Sequence, residues 1–187
     1  MIKNRQTSLS LLLYLFISII ISPNNSFAAF RQVSSIEATD LKRIAVSELG
    51  EPIIYVASEN SLYESQDRAK TFKKLAVLKD ENIKHIFLDP NLKDTLYIAS
   101  DRNIYRLNPN LEKIFSVSDD EVIYTLAGFG RDIYVGTSEG VYLSDKDSIK
   151  WYKSKSLIEN AVYYIEPTAK GAYLAAERGV YFFQNQE

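Results

Sequence analysis

One ten-residue pattern occurs four times, and it constrains the fold more than any other feature of the chain. Residues 54–63 read IYVASENSLY, 96–105 LYIASDRNIY, 133–142 IYVGTSEGVY and 172–181 AYLAAERGVY. The first tyrosines are Tyr55, Tyr97, Tyr134 and Tyr173, in steps of 42, 37 and 39. The second, Tyr63, Tyr105, Tyr142 and Tyr181, follow eight residues later. After each first tyrosine comes an aliphatic residue and then a small one: Ala57, Ala99, Gly136 or Ala175. A fixed small residue in a strand marks close approach of a neighbouring chain segment. Between the apolar runs stand Asn60-Ser61, Arg102-Asn103, Glu139-Gly140 and Arg178-Gly179, which read as two-residue hairpin turns with positive φ. Each copy is therefore a β-hairpin.

Flanking apolar stretches supply the remaining strands of each unit. Leu41–Val46, Ile83–Leu88, Val122–Ala127 and Ala161–Ile165 precede the hairpins, and Thr71–Val77, Glu112–Val117 and Lys150–Lys153 follow the first three. Four strands per unit of about 40 residues predict an all-β propeller of four four-stranded blades. The blades span about 36–78, 83–117, 121–155 and 161–187. The last copy lacks an outer strand, and residues 30–34 resemble the outer strand of the first blade. One closure is a four-bladed ring latched by 30–34; the alternative is half of a dimeric eight-bladed ring.

Residues 1–28 read as a secretory signal peptide. Lys3 and Arg5 precede an apolar run from Leu11 to Ile21, and Ser26-Phe27-Ala28 ends with small residues at the cleavage positions. The run is short for a bilayer span, which needs about 20 residues. Cleavage after Ala28 implies a periplasmic or extracellular protein with no transmembrane segment. Of the 22 basic residues 20 remain against 24 acidic, a net charge of −4, which gives no reason to expect a nucleic-acid partner. There is no cysteine and a single histidine, His85, so thiolate or multi-histidine metal sites and cysteine nucleophiles are excluded.

Residues 65–72, SQDRAKTF, resemble the Asp-box, S-x-D-x-G-x-T-W, with Ala69 for its glycine and Phe72 for its tryptophan. Residues 144–151 keep the serine and Trp151 but carry Lys146 where the aspartate belongs. Asp89-Pro90 with Thr95-Leu96-Tyr97 looks like the lead-in to such repeats. From about residue 30 to 187 the chain is similar to BNR/Asp-box propellers, which include sialidases, sortilin-type domains and Ycf48-like photosystem II assembly factors. Residues 133–142 also resemble periplasmic propeller repeats of hybrid two-component sensors. In Asp-box proteins the box is a structural turn, and Asp67 and Thr71 read as fold residues by the same logic.

The resemblance also raises the question of catalysis. Sialidases use three arginines on a carboxylate, a tyrosine nucleophile with a glutamate partner, and an acid. Arg43-Ile44 resembles the first arginine motif without its proline, and Arg31, Arg68, Arg102, Arg106, Arg131 and Arg178 form no convincing triad. Glu59, Asp101 and Glu177 recur at equivalent places, as rim residues do. Asp119-Asp120-Glu121 reads as a polar inter-blade loop, Lys146–Lys155 as a solvated edge, and His85 as a partly buried strand residue. The expectation is a protein without catalytic residues, cofactor or metal, which serves as an interaction or assembly scaffold. Its partner is another protein, and self-association is open to it. The hairpin tips at Asn60, Arg102, Glu139 and Arg178 are the candidate contact loops. The alternatives are a carbohydrate-binding protein or remnant glycoside hydrolase, with Tyr152, Tyr163 and Tyr164 as stacking residues, and a sensor module.

Overall fold

A computed structural model describes residue 32 and residues 36–38, 40–47, 50–92, 94–145, 150–155 and 159–184. The chain divides into two units, 1–32 and 33–187, and the described strands lie in the second. The signal peptide falls outside the described residues. So does the latch, 30–34, apart from Gln32. No helix among the described residues is long and apolar enough to cross a membrane.

The second unit is all β. The first sheet comprises β1 (Arg43–Val46), β2 (Ile54–Ala57), β3 (Ser61–Ser65) and β4 (Lys73–Val77). The second holds β5 (His85–Leu88), β6 (Leu96–Ala99), β7 (Asn103–Leu107) and β8 (Leu111–Ser116). The third holds β9 (Ile123–Phe129), β10 (Asp132–Thr137), β11 (Gly140–Asp145) and β12 (Trp151–Lys153), and the fourth β13 (Val162–Thr168), β14 (Gly171–Ala176) and β15 (Gly179–Gln184). Each sheet is an antiparallel meander in chain order, four-stranded in the first three and three-stranded among the described residues of the last. The first strands lie side by side, β1 by β5, β5 by β9 and β9 by β13. This is the propeller-blade architecture that the repeat predicts.

The two tyrosine columns point to opposite faces of each blade, because successive strand residues alternate sides. Tyr55, Ala57 and Leu62 of the first blade pack with Ile86, Leu96 and Ile98 of the second. Tyr97, Ala99 and Ile104 repeat the arrangement with Ile123, Leu126, Ile133 and Val135 of the third. Tyr134 and Val141 repeat it with Val162, Ile165, Ala172 and Leu174 of the fourth. The small column is explained by this packing. A Cβ on Gly136 would stand 2.7 Å from the Val162 carbonyl oxygen across the joint.

The hairpin turns sit one residue earlier than expected. Ala57 pairs with Leu62, and the Ser58 amide donates to the Ser61 carbonyl at 2.9 Å, so Glu59-Asn60 are the central residues. The equivalent centres are Asp101-Arg102, Ser138-Glu139 and Glu177-Arg178. Positive φ falls on Gly140 and Gly179, the residues after the turn, and not on Asn60 or Arg102. The reason is a hydroxyl column overlooked in the sequence. The Ser61, Asn103 and Glu139 amides donate to Ser58 Oγ, Ser100 Oγ and Thr137 Oγ1. Serine before the turn and glycine after it suit a type I geometry.

Candidate interaction surface

Most groups with chemical potential are committed to the framework. Asp67 Oδ1 accepts from Ser65 Oγ and the amides of Lys70 and Thr71, and its Oδ2 accepts from Thr71 Oγ1 at 2.6 Å. The Thr71 bonds, with lesser help from Ser65 and Lys70, hold its carboxyl down at about 2. Arg68 and Ala69 turn the loop with φ of 60° and 64°. Residues 65–71 thus form a structural turn organised around the Asp67 carboxylate. The second box lies largely outside the described residues, since 146–149 are not among them. Its Trp151 stacks on Phe115 of the preceding blade at 4.5 Å.

Arg31 lies outside the described residues, and the described arginines do not converge. Arg43 donates through Nε to the Lys84 carbonyl at 2.6 Å and so fastens the first blade to the second. Arg68 pairs with Glu51, Arg102 with Asp119, Arg106 with Glu112 and Arg131 with Asp145. These partners are spread over four separate neighbourhoods, so no three of the described guanidinium groups share one carboxylate-sized site.

A second set of residues escaped the sequence reading. Glu121 is no polar loop residue; it is 1% exposed. Its carboxylate accepts from Thr137 Oγ1, Tyr142 OH at 2.9 Å and Lys153 Nζ at 3.3 Å. Lys153 is correspondingly no free edge charge. Burial opposes its ammonium, yet Glu139 and Glu121 hold its pKa above the ordinary value. The second blade repeats the device with Tyr105 OH donating to Glu81 at 2.5 Å, and the fourth with Asn160 bonding Tyr181 at 3.2 Å. The signal was available: an acid or amide stands two residues before Ile83, Ile123 and Val162. Burial and the Glu81 bond push the Tyr105 phenol up to about 12. Burial, and then the Arg43 charge, lower the His85 pKa and favour its neutral ring.

Three of the four candidate hairpin tips are tied down as well. The Asn60 carbonyl accepts from Leu78 and the Arg102 carbonyl from Val117, while the Glu139 carbonyl accepts from Glu159 of the next blade. Glu139 also pairs with Lys153 at 3.2 Å. Arg178 is exposed. The rim acids belong to the same framework: Glu59 pairs with Lys42 and Asp101 with Lys84.

Several exposed side chains are aromatic. Tyr152, Tyr163 and Tyr164 are all more than half exposed, so none is a core residue. Tyr152 is on the outer strand β12, and Tyr164 donates its hydroxyl to Glu166 at 2.9 Å. Tyr163 is the extra residue of a bulge in β13, between Val162, opposite Ala176, and Tyr164, opposite Ala175. Tyr124 is the corresponding extra residue in β9, where Ile123 faces Thr137 and Thr125 faces Gly136. Both strands are sheet edges, and the two rings meet at 5.3 Å across the blade boundary. By register the same column holds Lys42 and Lys84 in the first two blades. The lead ends of the four innermost strands therefore present two paired lysines followed by two exposed, touching tyrosines.

Comparison with known proteins supports the architecture. No family model matches the chain, and no curated protein matches its sequence. Among solved structures, it is similar to the extracellular domain of the hybrid two component system BT4673 from B. thetaiotaomicron. The TM-score is 0.61 at 16% identity, over 78% of this chain and 20% of that one. YCF48 bound to D1 peptide matches with a TM-score of 0.62 at 12% identity, over 82% of this chain and 53% of that one. The computationally designed Ika4 protein matches with a TM-score of 0.63 at 10% identity, over 82% of this chain and 99% of that one. The chain thus spans a fifth of the BT4673 domain and about half of YCF48. At these identities the likeness establishes the fold: an all-β propeller-type assembly of blades.

Proposed function

We propose that the chain is an exported, non-catalytic propeller module that binds a protein partner at the Lys42–Lys84–Tyr124–Tyr163 rim. The observation that carries this reading is the pair of equivalent bulges in β9 and β13, which turn Tyr124 and Tyr163 to solvent side by side. Bulges re-aim side chains and concentrate beside functional sites. Tyrosine is enriched at interfaces because a rigid ring and a hydroxyl give contact area at small entropic cost. The non-catalytic part is supported by the framework roles of Asp67, Glu81 and Glu121. Export rests on residues 1–28, and kinship with Asp-box propellers on the bonding of residues 65–71. YCF48 with its D1 peptide is a propeller-type neighbour seen with a peptide, which favours a protein ligand here.

The test is affinity capture of crosslinked partners from the envelope with tagged protein. Tyr124→Ala with Tyr163→Ala should lower partner recovery at least tenfold, while Tyr152→Ala should leave it unchanged. Equal recovery by the double variant and the parent would overturn the rim assignment. The same tyrosine pair suits sugar stacking, so a glycan array is the second arm. Specific hits lost in the double variant would move the reading to carbohydrate binding.

A further inference from the structure

The three joints inside the chain use the same two faces in the same order. The face bearing the first tyrosine is closed wherever another blade comes next. Tyr55, Tyr97 and Tyr134 are at most 2% exposed, and Leu62, Ile104 and Val141 at most 1%. The fourth copy is open: Tyr173 is 51% exposed and Val180 77%, with Phe182 and Tyr164 exposed beside them. The opposite face shows the reverse asymmetry. Ile86, Leu126 and Ile165 are 9%, 3% and 2% exposed against the preceding blade, whereas their first-blade counterpart Ile44 is 68% exposed and Val46 48%. One chain therefore carries both halves of a fourth joint, and within that chain they do not cover each other.

Continuity with the internal joints identifies what fits. The complement of a first-tyrosine face is, three times over, the Ile44-type face of another blade. Tyr164 occupies the place from which Arg43 reaches the Lys84 backbone carbonyl, and the position equivalent to Lys84 is Lys42. We propose that a second copy of this chain covers both faces, blade four of each on blade one of the other. The product is a two-fold ring of about eight blades, inside the usual range of propeller sizes. Two such head-to-tail contacts close on themselves, as a finite oligomer requires. The pairing is separate from the tyrosine rim, and either can fail alone.

The chain has no native cysteine, which makes the test clean. Protein purified from an exporting host should show twice the chain mass by light scattering. Val180→Asp and Ile44→Asp, both at exposed positions, should each shift it to one chain mass with an unchanged circular dichroism spectrum. A mixture of the Ile44→Cys and Val180→Cys proteins, treated with a short bis-maleimide, should yield a covalent pair containing one of each. A monomeric parent would overturn the proposal, and a doubly substituted chain linked only within itself would replace it with a closed four-bladed ring. Open-ended polymers would overturn the two-fold closure.

Discussion

At the residue scale, two positions carry sharp consequences. Ala69 sits in the left-handed region with φ 64°, where a Cβ costs about 1 kcal/mol that glycine avoids. Ala69→Gly should therefore raise stability by up to about 1 kcal/mol, read from the urea midpoint. A decrease would mean that the Ala69 methyl, buried under the box, contributes more by packing. His85 gives a pH signature. Its folded pKa lies below the ordinary 6.5, because burial and Arg43 disfavour the charged ring. The unfolded chain then binds the proton first. Stability is full above about pH 6.5 and falls as the pH drops through and below that value. His85→Gln should flatten the melting temperature between pH 6.5 and 5. Loss from Asp67 lies lower, between its ordinary 3.8 and about 2, so the two windows separate.

At the element scale, the blade joint rests on small side chains and hidden carboxylates. Gly136→Ala places a methyl against the Val162 carbonyl, which belongs to backbone and cannot swing away. The overpacking should cost about 1–3 kcal/mol in chemical denaturation. Glu121→Ala strands Tyr142, Thr137 and Lys153 together and should cost about 1–3 kcal/mol. Tyr142→Phe, which removes one bond and keeps the ring, should cost less. The small column was legible in the sequence because sterics repeat at a fixed offset from the tyrosine. Glu121 was not, because three consecutive acids read as solvent-facing and only Glu121 folds under the hairpin. The turn position was missed for a related reason. Glycine and asparagine drew attention to φ, whereas the hydroxyls of Ser58, Ser100 and Thr137 set the turn.

At the scale of the whole molecule, periodicity carried the architecture and concealed the surface. Four tyrosine pairs at near-constant spacing demanded four similar sheets, and those sheets are present. Repetition could not tell Tyr163 from a strand residue, because the bulge that frees it depends on pairing across β13 and β14. Nor could it reveal that equivalent residues such as Tyr134 and Tyr173 differ fully in burial, since that depends on whether another blade packs against each face. The central claim is that this framework binds a protein partner at the rim of tyrosines. Its most direct test replaces Tyr163 with a photo-crosslinking phenylalanine analogue, with Tyr152 as the control site, and irradiates cells that export the protein. Position 163 should give a discrete adduct with a protein other than this chain, and position 152 none. No adduct at 163, or identical adducts at both positions, would contradict it.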